Sequence, residues 1–449
     1  MNAIWLKYFP VAVRERLSGK LGLQAILGNS GWLFADRLVR MGFGVVVSVW
    51  LARSLGPERF GQLSYAIAFS GLFGAVAGLG LDGIVVRELV RNPDDKNRII
   101  GSTFVLKLIG SCAAFSMAWG AINYFRPLDA ETVLLVTILA AGMLFQVCDA
   151  VDLWFQANVI SKYSVLTRNF AFLFSSAVKI YLIYIKAAVL TLALAFLFET
   201  MLAALGFFIV FQVTGNSWFK LRVNCRYMFK LLAESWPLML SGIAVTLYMR
   251  IDQVMLSGLI DEQSVGIYSA VIRLSEAWYV IPTVIVASSM PYLTQSREQS
   301  RELFAERLRA LATVLVKVAY VVAAIISVFA EQLIFLIYGE SYVEAAFVLV
   351  VHIWAAVFVF LGVVASPWIL NEGFTKMSFY QTGGGALINI GFNFYLIPIY
   401  GAAGAAVATV ISQCVSSWFF NCLFVKSRPL FWIQSDALCL GLLSRLQKI

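Results

Sequence analysis

Residues 31–51, GWLFADRLVRMGFGVVVSVWL, form an apolar run whose only charged members are Asp36, Arg37 and Arg40. A helix needs about 20 apolar residues to cross the hydrocarbon core of a bilayer, whereas a strand of a membrane β-barrel shows an alternating pattern about ten residues long. The run is long and does not alternate. It therefore predicts a membrane-spanning helix.

Runs of the same kind recur along the whole chain. Of its 449 residues, 61% are hydrophobic and 13% are charged, whereas an ordinary soluble domain is about a quarter charged. The sequence therefore predicts an all-α integral membrane protein with about 12 transmembrane helices. The predicted spans are residues 31–51, 62–86, 99–122, 132–155, 165–185, 188–212, 237–259, 266–291, 311–337, 344–370, 378–398 and 404–425.

The distribution of lysine and arginine between the short loops predicts the orientation. Of 34 such residues, 23 fall on the side that holds the N-terminal segment, four fall on the opposite side and seven lie inside predicted spans. Cytoplasmic loops carry the excess of positive charge, so both termini are expected in the cytoplasm. The net charge of +9 follows from these loops and gives no support for a nucleic-acid partner.

Two segments at an offset of 205 residues resemble each other. Residues 60–70 read FGQLSYAIAFS and residues 265–275 read VGIYSAVIRLS, so a glycine, two serines and an isoleucine match. Each segment follows a short polar turn and opens an even-numbered span, which favours two six-helix halves of the same orientation with a site between them. The predicted domains are a basic amphipathic N-terminal segment (1–27), an N-lobe (28–213), a linker (214–235), a C-lobe (236–425) and a basic cytoplasmic or interfacial tail (426–449).

Three motifs resemble signatures of a known transporter family. Residues 51–61, LARSLGPERFG, resemble its first-loop signature, and residues 250–256, RIDQVML, resemble its seventh-span signature. Asn389, Asn393 and residues 396–406, LIPIYGAAGAA, resemble its junction between spans 11 and 12. The family is the polysaccharide transporter family of the multidrug/oligosaccharidyl-lipid/polysaccharide (MOP) exporter superfamily, and the resemblance is to its Wzx-type O-antigen and repeat-unit flippases.

The resemblance, which covers roughly residues 28–425, implies a V-shaped, MATE-like bundle of two six-helix lobes in the bacterial inner membrane. It implies a flippase and not an enzyme. The implied cargo is an undecaprenyl-pyrophosphate-linked oligosaccharide repeat unit of O-antigen or a related surface polysaccharide, moved to the periplasmic face by alternating access. The expected partners are this substrate, membrane lipids and other polysaccharide assembly proteins. No cofactor or metal is expected, because the six cysteines show no metal-ligand spacing.

Seven cations lie inside the predicted spans, where a charge costs a few kcal/mol unless it reaches the surface or lines a water-filled path. Arg40, Arg250 and Arg273 cannot reach a surface easily, so they are the candidates for contact with the pyrophosphate. The other four lie near span ends, where snorkelling explains them. They are Lys179 and three secondary candidates for substrate contact, Arg37, Lys107 and Lys317.

Two acidic residues are close in sequence to these arginines. Asp36 precedes Arg40 by four residues, so its carboxylate can pair with the guanidinium on one helix face. Glu276 follows Arg273 by three residues and can share its face. For Arg273 and Glu276, an ion pair that only stabilises the helix bundle is an open alternative to a substrate contact. Pro282 predicts a kink in the same span.

Two further acidic residues are candidates for coupling or ion pairing. Asp252 is two residues from Arg250, so the two side chains point to different sides of the helix; Asp252 either serves transport or pins spans 7 and 8 together. Glu199 has no cation nearby in the sequence and is a candidate for cation or proton coupling. His352, the only histidine, favours a hydrogen-bonded interior position over a proton relay.

Two other functions stay open. A cation-coupled exporter of small molecules or drugs from the same superfamily predicts an acid-lined cavity, and the intramembrane arginines argue against it. A membrane polymerase or ligase of the same pathway needs an extended outer loop with catalytic residues, and every predicted outer loop is short.

Overall fold

The computed structural model describes residues 21–442. Within this range the regular elements are all helical and no strand occurs. Nine helical segments among these residues are long and apolar enough to cross a membrane. The all-α integral membrane fold is therefore confirmed, while the count of twelve spans and the cytoplasmic termini stay predictions. Most of the predicted N-terminal segment and the last residues of the tail lie outside the described range.

The chain divides into two compact units. Among the described residues, unit 1 comprises residues 21–47 together with Phe73–Ile243, and unit 2 comprises Ser48–Leu72 together with residues 244–442. The lobes predicted from chain order stay a prediction. One difference is informative: residues 48–72, which are early in the sequence, pack with the unit that contains the C-terminal helices.

Unit 1 has a core of aliphatic and aromatic side chains from five helices, in which Ile99, Ile100 and Phe155 are fully buried. Leu79 and Gly80 have φ angles of 52° and 65°, which end a short helix and break the predicted second span. The helices are the first part of α1 (Leu21–Gly71), which extends to Val47, α2 (Gly74–Gly78), α3 (Asp82–Arg91), α4 (Lys96–Phe125), α5 (Ala130–Phe145), α6 (Asp149–Ala157), α7 (Lys162–Tyr184), α8 (Val189–Val213) and the first part of α9 (Cys225–Leu259), which extends to Ile243.

Unit 2 has a core in which Leu308, Phe360 and Leu361 are fully buried. Leu430 and Ile433 of the predicted tail pack into the same core, so this segment is part of the folded unit. The helices are the second parts of α1 and α9, α10 (Glu262–Glu276), α11 (Val280–Gln299), α12 (Arg301–Val328), α13 (Ala330–Tyr338), α14 (Ala345–His352), α15 (Ala355–Asn371), α16 (Thr375–Cys414), a π-helical turn (Val415–Phe419), α17 (Phe420–Leu423) and α18 (Arg428–Leu438).

Two long helices are interrupted at glycines that belong to the sequence motifs. In α1, Gly56 adopts φ 72° and ψ 171° and is followed by Pro57, which has no N–H to donate to the helix. In α16, Gly401 adopts φ 56° and ψ −134°, three residues after Pro398. This break lies where the sequence predicts the boundary between spans 11 and 12.

The second part of α1 touches α10 at the two glycines that match in the internal repeat. A Cβ built on Gly61 would lie 1.7 Å from the carbonyl oxygen of Glu262, and one built on Gly266 would lie 1.9 Å from the carbonyl oxygen of Pro57. Backbones come this close only where neither residue has a side chain. This contact explains why residues 48–72 belong to unit 2.

Candidate functional site

A polar cavity lies within unit 2, among the second part of α1, the second part of α9 and α10. It holds about 350 Å³ of empty space, counting the part that is open to solvent. The spacings explain its composition, because residues three or four apart share one face of a helix. The lining residues are Ser64 and Ile67 from α1, Arg250 and Gln253 from α9, and Ser269, Ile272, Arg273 and Glu276 from α10.

Two of the three predicted arginines meet in this cavity. Among residues 21–442, neither Arg250 nor Arg273 forms a salt bridge or a hydrogen bond. The side chain of Arg273 is exposed, although residues 265–272 before it are all buried, and Arg250 is half-buried. Two guanidinium groups without a protein partner therefore face one solvent-accessible space inside membrane-spanning helices.

Glu276 lines the same cavity because α10 ends there. The chain continues as a 3-10 turn (Ala277–Tyr279) before α11 begins. Pro282 has no N–H for the carbonyl of the residue four positions earlier, so the helix breaks just before it, and the predicted kink is confirmed. Among residues 21–442 no salt bridge joins Glu276 to Arg273, so the alternative of a self-contained ion pair between them stays a prediction.

Asp252 faces away from the cavity, as its two-residue distance from Arg250 predicts. The residue is 4% exposed, and its Oδ2 accepts hydrogen bonds from the hydroxyls of Tyr268 at 2.6 Å and Thr409 at 2.7 Å. Its Oδ1 accepts a hydrogen bond from Asn393 Nδ2 at 2.5 Å. These partners belong to α10 and α16. The hydrogen bonds support the interpretation that Asp252 pins spans 7 and 8 together. They also join α9 to α16 on both sides of the break at Gly401.

Arg40 belongs to unit 1, and its guanidinium is engaged there. Its Nε lies 3.4 Å from Asp36 Oδ1, so the ion pair predicted from their spacing is confirmed. Its Nη2 donates to the carbonyl oxygen of Arg168 at 3.3 Å, and the group lies 5.4 Å from the centre of the Phe172 ring. Arg40 does not line the cavity of unit 2.

Two buried lysines have carboxylate partners on other helices. Lys107 is 6% exposed and its Nζ donates to Asp82 Oδ1 at 2.8 Å. Lys179 is 3% exposed and its Nζ donates to Glu199 Oε2 at 2.7 Å. Lys179 is buried with a carboxylate that is itself mostly buried, which contradicts the snorkelling explanation for this lysine. The partner of Lys107, Asp82, is exposed, so the snorkelling explanation for Lys107 stays a prediction. Glu199 is not isolated in the structure, because Lys179, 20 residues earlier on the neighbouring helix, supplies its cation.

The other intramembrane charges give less information. Arg37 and Lys317 are exposed, and their roles as secondary candidates stay predictions. His352 is 2% exposed, and its Nδ1 lies 3.0 Å from Ser275 Oγ. This contact agrees with the predicted interior, hydrogen-bonded histidine.

Three uncharged polar residues of the cavity were not predicted from the sequence. Gln253 follows Arg250 by three residues, and Ser269 precedes Arg273 by four, so each shares a helix face with an arginine. That spacing was a usable signal. Ser64 comes from a different part of the chain, and the packing of α1 against α10 brings it into the cavity beside Ser269, its counterpart in the internal repeat.

Solved structures define the class of this fold. The chain aligns with an inward-facing multidrug resistance MATE family transporter of the MOP superfamily at a TM-score of 0.71 and 18% identity, over 90% of this chain and 95% of that one. It aligns with the inward closed conformation of the lipid II flippase MurJ at a TM-score of 0.69 and 15% identity, over 94% of this chain and 93% of that one. The fold is that of the MOP-superfamily transporters.

Sequence comparison then gives the family. The family model described as polysaccharide biosynthesis protein matches residues 26–297, and the MatE model matches residues 237–395. The capsular polysaccharide biosynthesis protein CapF of Staphylococcus aureus is 21% identical over 394 residues, which are 86% of this chain and 96% of that protein. The chain belongs to the polysaccharide biosynthesis protein family and is a multi-pass membrane protein. The resemblance seen in the three motifs is thereby confirmed.

Proposed function

We propose that this protein is a flippase of the bacterial inner membrane that moves undecaprenyl-pyrophosphate-linked oligosaccharide repeat units to the periplasmic face by alternating access. Membership of the polysaccharide biosynthesis family supports the pathway. The fold that it shares with a lipid II flippase and with multidrug transporters supports a transport role. Orientation with both termini in the cytoplasm is part of the proposal.

The observation that carries the proposal is the pair of unpartnered arginines in the cavity of unit 2. The cavity holds two arginines and one carboxylate, so it keeps an excess of positive charge, which is costly inside a membrane and favours binding of an anionic ligand. Each guanidinium presents its donors in a planar fork that matches phosphate oxygens. Ser64, Gln253 and Ser269 add uncharged hydrogen-bonding groups beside the two cations. This donor set suits a pyrophosphate that carries a sugar.

The composition of the cavity also bears on the competing functions. A cation-coupled exporter of the same fold would favour an acid-lined space, whereas this one holds two arginines and one glutamate. The excess of positive charge supports an anionic cargo. An enzyme of the same pathway gains no support from the solved structures that share the fold, which are a multidrug transporter and a lipid II flippase. Arg40 stays a third candidate for substrate contact.

The first test is binding of a polyprenyl pyrophosphate that carries one sugar to the full chain in lipid nanodiscs. Hydrogen bonds to a charged group contribute about 1.5–3 kcal/mol, so Arg250→Ala or Arg273→Ala should weaken binding roughly 10- to 100-fold. Lysine at either position should restore only part of the affinity, because it keeps the charge and loses the fork. Arg226→Ala is the matched control, since Arg226 is exposed and outside the cavity.

Cells supply the second readout. A strain that carries either alanine variant as its only copy should display less surface polysaccharide at equal protein abundance in the membrane. Normal polysaccharide together with normal affinity in both variants would contradict the assignment of this cavity as the anion site. Loss of affinity for the neutral polyprenol as well would indicate a folding defect and not a lost anion contact.

A further inference from the structure

Glu276 is an unexpected residue in a site for an anion. It lines the same cavity as Arg250 and Arg273, yet among residues 21–442 its carboxylate forms no salt bridge with either. The three charges share one space at longer range, two positive and one negative. When it is ionised, Glu276 can therefore serve as a counter-ion for both arginines without being locked to one of them.

A bound pyrophosphate changes this balance. A pyrophosphate that links a polyprenyl chain to a sugar is a diester with about two negative charges at neutral pH. With Glu276 ionised, the occupied cavity would hold two cations and three anionic charges, and the carboxylate would repel the ligand. With Glu276 protonated, the charges cancel. Because uncompensated charge is costly away from bulk water, the neutral arrangement is strongly favoured.

We infer that Glu276 takes up a proton when the pyrophosphate enters the cavity and releases it when the pyrophosphate leaves. The proton comes from water at the open side of the cavity. The two arginines thus hold the Glu276 carboxylate and the substrate in turn. This inference rests on the proposed function, and it identifies the residue through which substrate binding depends on pH.

Among the described residues around Glu276, no other group could replace it in this role. Asp252 is occupied by three uncharged donors and faces away from the cavity. His352, from α14, is bound to Ser275 and does not line the cavity. The titratable and charged groups that interact with Glu276 or pack near it are Arg250, Asp252, Arg273, Tyr248, Tyr268, Tyr279 and His352.

The inference is tested by calorimetry on the full chain in nanodiscs, with a polyprenyl pyrophosphate that carries one sugar. A diester probe is chosen because it has no proton of its own that titrates near neutral pH. Titration in buffers of different ionisation enthalpy gives the number of protons taken up per ligand. The wild type should take up a fraction approaching one proton, and its affinity should fall with rising pH, by up to tenfold per pH unit. Glu276→Gln should bind with no proton uptake and with a flat pH profile.

Two further variants keep the test decisive. Glu276→Asp should restore proton uptake, because it keeps the carboxylate. Glu340→Gln, at an exposed carboxylate of the same unit, should behave as the wild type. Binding by the wild type without proton uptake, or unchanged uptake in Glu276→Gln, would overturn the inference and leave the proposed function standing. Absence of diester binding by the wild type would overturn both.

Discussion

Replacement of Gly61 by alanine tests the contact that joins the second part of α1 to α10. The added Cβ would lie 1.7 Å from the carbonyl oxygen of Glu262 and 2.8 Å from the amide nitrogen of Gly266. Non-bonded heavy atoms normally approach to about 3.5 Å, so the two helices must separate by roughly 1.5–2 Å. The obstructing atoms belong to backbone and cannot rotate away.

The expected cost follows from this geometry. Overpacking a tight contact costs about 1–3 kcal/mol, and the rigid backbone on the opposite side places Gly61→Ala near 3 kcal/mol. For a unit of this size, 1 kcal/mol corresponds to roughly 2 °C in Tm, so the variant should melt about 6 °C below the wild type. Gly266→Ala should cost a similar amount. The double variant should lose less than the sum, because both substitutions widen the same crossing.

The measurement is thermal unfolding of the purified protein in detergent, followed by the loss of the monodisperse peak in size-exclusion chromatography. Gly391→Ala is the matched control: it is an exposed helical position of α16 where an added Cβ meets no atom within 4 Å. That variant should melt at or slightly above the wild-type temperature, since alanine favours a helix by about 1 kcal/mol. Equal melting of Gly61→Ala and Gly391→Ala would refute the close contact.

Two other substitutions probe the buried polar groups. Asp252→Ala should lower the free energy of unfolding by about 2–4 kcal/mol, because three buried donors lose their acceptor; an unchanged Tm would contradict the network. Lys179→Met should destabilise by about 2–3 kcal/mol, since it leaves Glu199 without its cation, and addition of Glu199→Gln should recover part of the loss in a double-mutant cycle on Tm.

The sequence predicted the architecture because bilayers impose simple rules. Length and continuity of apolar runs identify spanning helices, and the motif glycines identify where the chain must break, as at Gly56 and Gly401. The repeat also located a real contact, since the matched residues Gly61 and Gly266 meet. The assignment of residues 48–72 to unit 2 could not be predicted, because it depends on packing between segments 205 residues apart.

The candidate site was predicted as far as single helices allow. Spacing along one helix correctly separated Arg250 from Asp252 and joined Asp36 to Arg40. Contacts between different helices could not be predicted from the spacing of residues along one helix. Glu199 looked isolated only because its lysine lies on the preceding helix.

The intramembrane cations are better sorted by their partners than by their depth in a span. Lys107, Lys179 and Arg40 each have a carboxylate within 3.4 Å, so their charge is balanced by the protein itself. Arg250 and Arg273 have no such partner among residues 21–442, and they line a cavity. A balanced cation gives a ligand little to gain, because binding must first break an existing pair. Two arginines that no carboxylate of the described residues bridges leave most of their attraction for an incoming anion, and this difference is the physical reason why we propose the cavity of unit 2 as the anion site.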